Sequence, residues 1–204
     1  MRRVTGGTIS VGERDITNAA VATIAASGVA HVPEDRLADG LIPGMDLAGN
    51  AILREYQRAP IARGAFLIPG AIAELADRLI RQYDVKAPGR RTRLRLLSGG
   101  NQQKLLLARE LSGEPKVIVA VHPTRGVDVG ATETIHRLLQ EQRARGAAIL
   151  LISEDLDELL ALADRIAVLF AGRVMGTVPV AKANPARLGV WMAGVQQEAT
   201  VTHG

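Results

Sequence analysis

Two rhythms of apolar residues alternate along the chain. Residues 4–16 carry small strands broken by Gly6-Gly7 and Gly12, a hairpin-like pattern. Residues 17–27 read as a helix, and Val29–Val32 as a short buried strand stopped by Pro33. The charged stretch 34–46 holds Gly40, Pro43 and Gly44 and reads as a loop. Helical patterns follow at 47–58 and 71–83, where Ile72, Leu75, Leu79 and Ile80 share one face. From Val117 the order becomes strand, helix, strand, helix. VIVAV, Val117–Val121, is an unbroken β-branched run, as expected of a strand buried on both faces. Residues 131–145 read as a helix, AAILLI (147–152) as a second buried strand, and 155–163 as a helix. Strands at 166–170 and 173–178 flank the turn Ala171-Gly172. This alternation predicts an α/β fold with a parallel sheet and a mostly helical insertion over 47–100. Neither an internal repeat nor a linker divides the chain, so residues 1–204 are read as a single domain.

Composition narrows the chemistry. The chain has 204 residues, 47% hydrophobic and 23% charged, enough to bury a core. Cysteine is absent, which excludes a disulfide scaffold, a thiolate metal site and a cysteine nucleophile. The 25 basic and 21 acidic side chains leave a net charge of +4. Such a balance suits nucleic acid, but aromatics make up only 2%, so the stacking platforms of single-strand binders are nearly missing. No apolar run reaches the roughly 18 residues of a membrane span. Glu13, Arg14 and Asp15 interrupt a loose imitation of a secretory signal at the start, and a cytoplasmic protein is expected.

The most specific segment is LSGGNQQK, residues 97–104, followed by the helical pattern LLLARELS. A Ser-Gly-Gly turn opening a helix is an anion site. Its N–H groups lack side-chain cover, the helix dipole is positive there, and the hydroxyl adds a donor. The same residues also describe an ordinary N-capped helix with Ser98 as cap. Together the eight resemble the signature motif of ABC-transporter ATPases, in the form used by importers of simple sugars and nucleosides. PTRGVDVGA (123–131) is similar to the segment after Walker B, with Asp128 at the D-loop position. VPEDRLADGL (32–41) resembles the Q-loop region of the second nucleotide-binding domain, and residues 153–176 resemble the switch region and final strands. Residues 188–194 are similar to the tail of nucleoside importers.

The departures are as informative. The family's phosphate loop, G-x-x-x-x-G-K-[ST], needs a lysine after glycine. None of Lys86, Lys104, Lys116 and Lys182 follows one, and the decoy Gly7–Gly12 spacing runs on into Glu13. At the Walker B positions for Mg²⁺ and for the water-polarising carboxylate stand Val121 and His122. Glu34 occupies the Q-loop glutamine position and Glu154 the switch histidine position. The basic run Lys86, Arg90, Arg91, Arg93 and Arg95 is read as a solvated loop. The acids Glu154, Asp155, Asp157 and Glu158 are read as helix N-terminal charges rather than a metal site.

The resemblance therefore implies an ABC-type nucleotide-binding domain, a P-loop NTPase-like parallel sheet with a helical subdomain, lacking the first strand and the Walker A segment. Within it, 1–46 would be the hairpin and Q-loop region, 47–100 the helical subdomain and 101–204 the α/β core with its C-terminal strands and helix. It further implies the second nucleotide-binding domain of an importer ATPase, cytoplasmic and peripheral on the inner face of the membrane. Ser98, Gly99, Gly100, Asn101 and Gln102 would meet ATP, with Mg²⁺, held mainly by the first nucleotide-binding domain. Asp128 would help align that interface, and closure would pass to permease subunits and indirectly to a substrate-binding protein. No catalytic residue, metal ligand or nucleic-acid partner is expected in this chain, nor hydrolysis by the chain alone. The competing readings are a non-transport module bound to RNA or ribosomes, and an active homodimeric ATPase. The first wants interleaved aromatics, the second a phosphate loop and a carboxylate base.

Overall fold

The computed structural model describes residues 3–195. The chain divides at Ile152/Ser153 into two compact units.

The first unit is organised by a three-stranded parallel sheet. Its strands are β3 (Val29–Val32), β6 (Val117–Val121) and β7 (Ala148–Ile152), with β6 central and Val29, Val117 and Ala148 in register. Ahead of them, β1 (Ser10–Val11) and β2 (Arg14–Asp15) form the expected hairpin. Helix α1 (Val21–Ala26) starts later than its pattern suggests. Thr17 and Asn18 spend their side chains on the hairpin instead, Thr17 Oγ1 accepting from Ile9 N at 2.7 Å and Asn18 bonding Val4 at both ends.

The loop at 34–46 contains one wide helical turn, Arg36–Gly40, closed by Leu41 N donating to Arg36 O at 2.7 Å. Asp35 caps that turn, its Oδ1 accepting from Leu37 N and Ala38 N. Helix α2 (Leu47–Ala51) covers only the start of the helical stretch expected to 58. Gly49 and Asn50 are weak helix formers, and the fully buried Asn50 side chain holds the loop by bonding both backbone groups of Ile42. A small hairpin, β4 (Ala62–Arg63) with β5 (Phe66–Leu67), follows, and it carries no period the sequence shows. Helix α3 (Pro69–Gln82) opens on proline, whose missing N–H costs nothing in the first turn, and buries Ala76 and Leu79. Helices α4 (Gly99–Leu111) and α5 (Val129–Ala144) flank β6 in sequence and pack along β3 and β7 respectively.

The sheet is buried on one face only. Ala30, Val32, Ile118 and Ala120 are wholly inaccessible, as are Leu105, Leu106 and Leu107 of α4 and Ile135 of α5. On the opposite face Val117, Val119 and Val121 are half-buried, and Leu150 and Ile152 are 56% and 43% exposed. The expectation of strands buried on both faces therefore fails for β6 and β7. The apolar run is a property of the strands, while burial needs helices on both sides, and α4 and α5 supply one.

In the second unit, helix α6 (Leu156–Leu162) is capped by Asp155 and followed by the antiparallel pair β8 (Arg165–Phe170) and β9 (Arg173–Pro179). Helix α7 (Pro185–Met192) closes the unit around Ile166, Val168, Val178, Leu188 and Trp191. The Arg187 guanidinium lies 4.5 Å over the Trp191 ring, a cation–π contact. No described helix is long and apolar enough to cross a membrane.

Candidate functional site

Three segments of the first unit meet at the N-terminus of α4: residues 34–36, 97–102 and 125–128. Helix α4 is fixed along its whole length, so its first turn is held rigidly. At its far end the buried Glu110 carboxylate accepts from Arg109 Nε at 2.9 Å and His31 N at 3.1 Å, and pairs with Arg54. In its middle Gln103 Nε2 donates to Pro123 O at 2.7 Å from a fully enclosed position. At its start Gln102 is turned inward, donating to Leu97 O at 3.0 Å and Leu94 O at 3.4 Å.

Ser98 is exposed and caps the helix. Its Oγ accepts from Asn101 Nδ2 at 3.0 Å and Asn101 N at 3.4 Å. Asn101 Oδ1 accepts from Lys86 N at 2.7 Å, which pins the chain before the motif to the motif itself. The N–H groups of Gly99 and Gly100 lie in the first turn, where an α-helix offers no backbone acceptor.

Packing requires small residues at both positions. A Cβ on Gly99 would stand 2.7 Å from Arg36 Nη2 and 2.9 Å from Gly126 O. One on Gly100 would stand 3.0 Å from Ala131 Cβ and 3.2 Å from Asp128 Oδ2. The turn is thus packed directly against the segment carrying Asp128. Asp128 caps α5, its Oδ1 accepting from Ala131 N at 2.9 Å.

Residues 34–36 complete the cluster. Glu34 forms an ion pair with Arg125, and Arg36 reaches Gln102, Arg125 and Gly126 together. Neither arginine was singled out by sequence reasoning, although both stand inside the quoted segments VPEDRLADGL and PTRGVDVGA. An arginine four residues past a strand end, Val32 to Arg36 and Val121 to Arg125, is the available signal. Beside them the N–H groups of Ala38 and Leu37 hold the Asp35 carboxyl below the usual carboxylate range, helped by the charges of Arg36 and Arg125.

The remaining candidate positions are Val121, His122 and Glu154. Val121 ends β6 with an alkyl side chain. His122 follows in a left-handed conformation, φ 45°, with its N–H on Ile152 O at 2.8 Å and its carbonyl accepting from Arg125 N at 3.0 Å. Mg²⁺ prefers oxygen donors, so Val121 and His122 do not fit it. Glu154 is exposed in the second unit. Among the described residues no group of three His, Asp or Glu side chains could hold a metal ion. Of the basic run, Lys86 pairs with Asp84 at 2.5 Å and Arg90 with Asp77 at 2.7 Å. Lys104 also turns to Asp84, whose carboxyl is held low first by its bond to Lys86.

Comparison with known proteins gives the cluster a context. The chain is 40% identical over 205 residues to the guanosine import ATP-binding protein NupO of Bacillus subtilis, covering 100% of this chain and 40% of that protein. It is 40% identical to the nucleoside import ATP-binding protein NupA of Lactococcus lactis, over 95% of this chain and 38% of that one. With the glucose import ATP-binding protein TsgD13 of Haloferax volcanii it shares 39% identity over 100% of its length and 37% of the relative. The chain thus spans about two fifths of the length of the curated relatives it matches. No protein-family model matches it. Among solved structures, the dimeric ATP-binding cassette MJ0796 bound to ADP and phosphate superposes with a TM-score of 0.72 at 21% identity, over 88% of this chain and 75% of that one. The ADP form of the cassette MJ1267 gives 0.70 at 20%, over 94% and 75%.

Proposed function

Because the chain is homologous along its whole length to ATP-binding proteins of nucleoside and sugar importers and has the fold of an ABC ATPase cassette, we propose that it acts as the second nucleotide-binding domain of such an importer. Its part is the signature half of a composite ATP site. ATP and Mg²⁺ are held by the phosphate loop of the first nucleotide-binding domain. Ser98 Oγ, the N–H groups of Gly99 and Gly100, and the exposed side of Asn101 face the γ-phosphate. Gln102 supports the turn from within, and Asp128 lies at the seam between the two domains. The chain contributes binding energy and alignment rather than water activation, since Val121 and His122 place no carboxylate at the Walker B positions. Permease subunits receive the closure through the loop around Glu34, and a substrate-binding protein feeds them from outside. In that assembly the chain sits on the inner face of the cell membrane.

The observation that carries this reading is the turn itself: an exposed serine cap on a helix held along its length, with two glycine N–H groups in the first turn, packed on the Asp128 segment. The test is ATP turnover by the assembled importer carrying Ser98→Arg. Loss of one such donor set costs about 100- to 1000-fold in rate, so turnover should fall by that order. The chain alone should give no turnover above background with Mg-ATP. Unimpaired turnover by the variant assembly sinks the reading.

A further inference from the structure

The three segments of the site are held together by one guanidinium. Arg36 Nη1 donates to Arg125 O at 3.0 Å, Nη2 to Gly126 O at 3.4 Å, and Nε to Gln102 Oε1 at 3.4 Å. The contact is reciprocal, because the Arg125 side chain returns to Glu34, two residues before Arg36. Loop 34–41 and loop 125–128 therefore exchange one side chain each, and neither shifts without drawing on the other. Gly99 lies against the same guanidinium, since a Cβ there would meet Arg36 Nη2 at 2.7 Å. Gln102 makes the third link, one turn into α4.

We propose that Arg36 is the positioning residue of the signature turn, coupling loop 34–41 to Ser98–Gly99 and to the Asp128 segment as a single moving body. The proposal rests on the functional reading above for its consequence, but its geometry stands without it. Glu34 and Arg36 thus join loop 34–41 to residues 125–126, and Arg36 joins it to α4 as well. A planar fork with donors on three edges suits three acceptors on different segments, which an ammonium on a flexible stem does not reproduce. A displacement of the loop, such as contact with a partner would impose, is passed by Arg36 to the first turn of α4.

The test has two arms. In the full chain, amide hydrogen exchange is followed for Arg36→Ala and Arg36→Lys. Each hydrogen bond slows local opening severalfold, so losing the set should speed it about tenfold or more. The acceleration is expected in residues 97–103 and 123–131 and absent from β6 and from Leu105–Leu107, with Lys restoring part of the protection. No acceleration, or a uniform one across the chain, overturns the proposal, the second outcome marking Arg36 as mere packing. In the assembled importer, Arg36→Ala should lower kcat while leaving KM for ATP within about twofold, because nucleotide is held on the other domain. A raised KM with unchanged kcat overturns it. Ser98→Arg is measured alongside. If that control leaves kcat intact, the signature reading fails, and the exchange arm alone decides the clamp.

Discussion

Replacing Gly99 by alanine isolates the packing at the heart of the site. The new Cβ would lie 2.9 Å from Gly126 O and 2.7 Å from Arg36 Nη2. The arginine can swing away, but the carbonyl belongs to a tight turn in which Gly126 itself has φ 68°. Relief therefore requires the 125–128 loop or the start of α4 to move. Overpacking of one methyl costs about 1–3 kcal/mol. The helix-forming advantage of alanine over glycine offsets at most about 1 kcal/mol, and less at the first helical position. A net loss of about 1–2 kcal/mol is expected for Gly99→Ala. Gly100→Ala should lose less, since its nearest neighbours stand at 3.0 and 3.2 Å. Gly113→Ala meets nothing within 4 Å, and should be neutral or gain about 0.4–1 kcal/mol through the unfolded state. Urea midpoints at a common slope give the ranking. Adding Arg36→Ala to Gly99→Ala should recover only part of the loss, because the carbonyl stays. A Gly99→Ala protein as stable as its parent would refute the packing account.

Three further outcomes are expected. His122 holds φ 45° without being glycine. His122→Gly should therefore relieve strain of about 1 kcal/mol, partly offset by the freer unfolded chain, and should leave assembled ATP turnover intact; a stable variant without turnover would give the imidazole a role it is denied here. The open face of β7, with Leu150 and Ile152 exposed, should drive self-association of the isolated chain, and Leu150→Lys with Ile152→Lys should lower its light scattering at equal concentration. Unchanged scattering would place the association elsewhere. For Asp35, the folded carboxyl titrates below its ordinary value, so its contribution is present above about pH 4 and is lost as pH falls through the folded pKa. The stability gap between the parent and Asp35→Asn should accordingly close on acidification, and a gap that acidification leaves unchanged would contradict the assignment.

Much of this arrangement is legible in the chain before any coordinates. The apolar runs at Val117–Val121 and Ala148–Ile152 are strands to within a residue, because β-branched content and length decide between strand and helix there. Elements that failed to show were those whose cause is tertiary. The stretch after Ala51 keeps a helical period but not a helix, since Asn50 is committed to Ile42 and the chain turns repeatedly toward Pro60. The β4–β5 hairpin has too few residues to express any period. Burial was misjudged on β6 and β7 for a related reason: hydrophobicity records what a strand can bury, and the neighbouring helices determine which face is covered. In the site, the motif residues were visible and the residues that join the motifs were not. Arg36 and Arg125 act through partners about 65 and 90 positions away, a distance at which spacing carries no information.

On the proposed reading the signature turn answers to two demands at once, and the glycines cannot separate them. Any side chain at Gly99 or Gly100 disturbs the packing on Gly126 and Asp128 before a phosphate is considered, so a dead Gly99→Asp variant would be explained equally well by misfolding. Ser98 does separate them. Among the described residues its hydroxyl acts as a helix cap, accepting from Asn101, and aspartate caps helices as well as serine does. Ser98→Asp should keep the stability of the parent within a few tenths of a kcal/mol, the acid being favoured by the helix dipole. Toward a γ-phosphate the same carboxylate is a like charge in place of a donor. At about 4 Å and an effective dielectric near 20, that repulsion is of order 4 kcal/mol, enough to suppress turnover of the assembly by about three orders of magnitude. Equal thermal melting with turnover lost assigns the turn to phosphate. Equal melting with turnover kept would leave it a capped helix and nothing more.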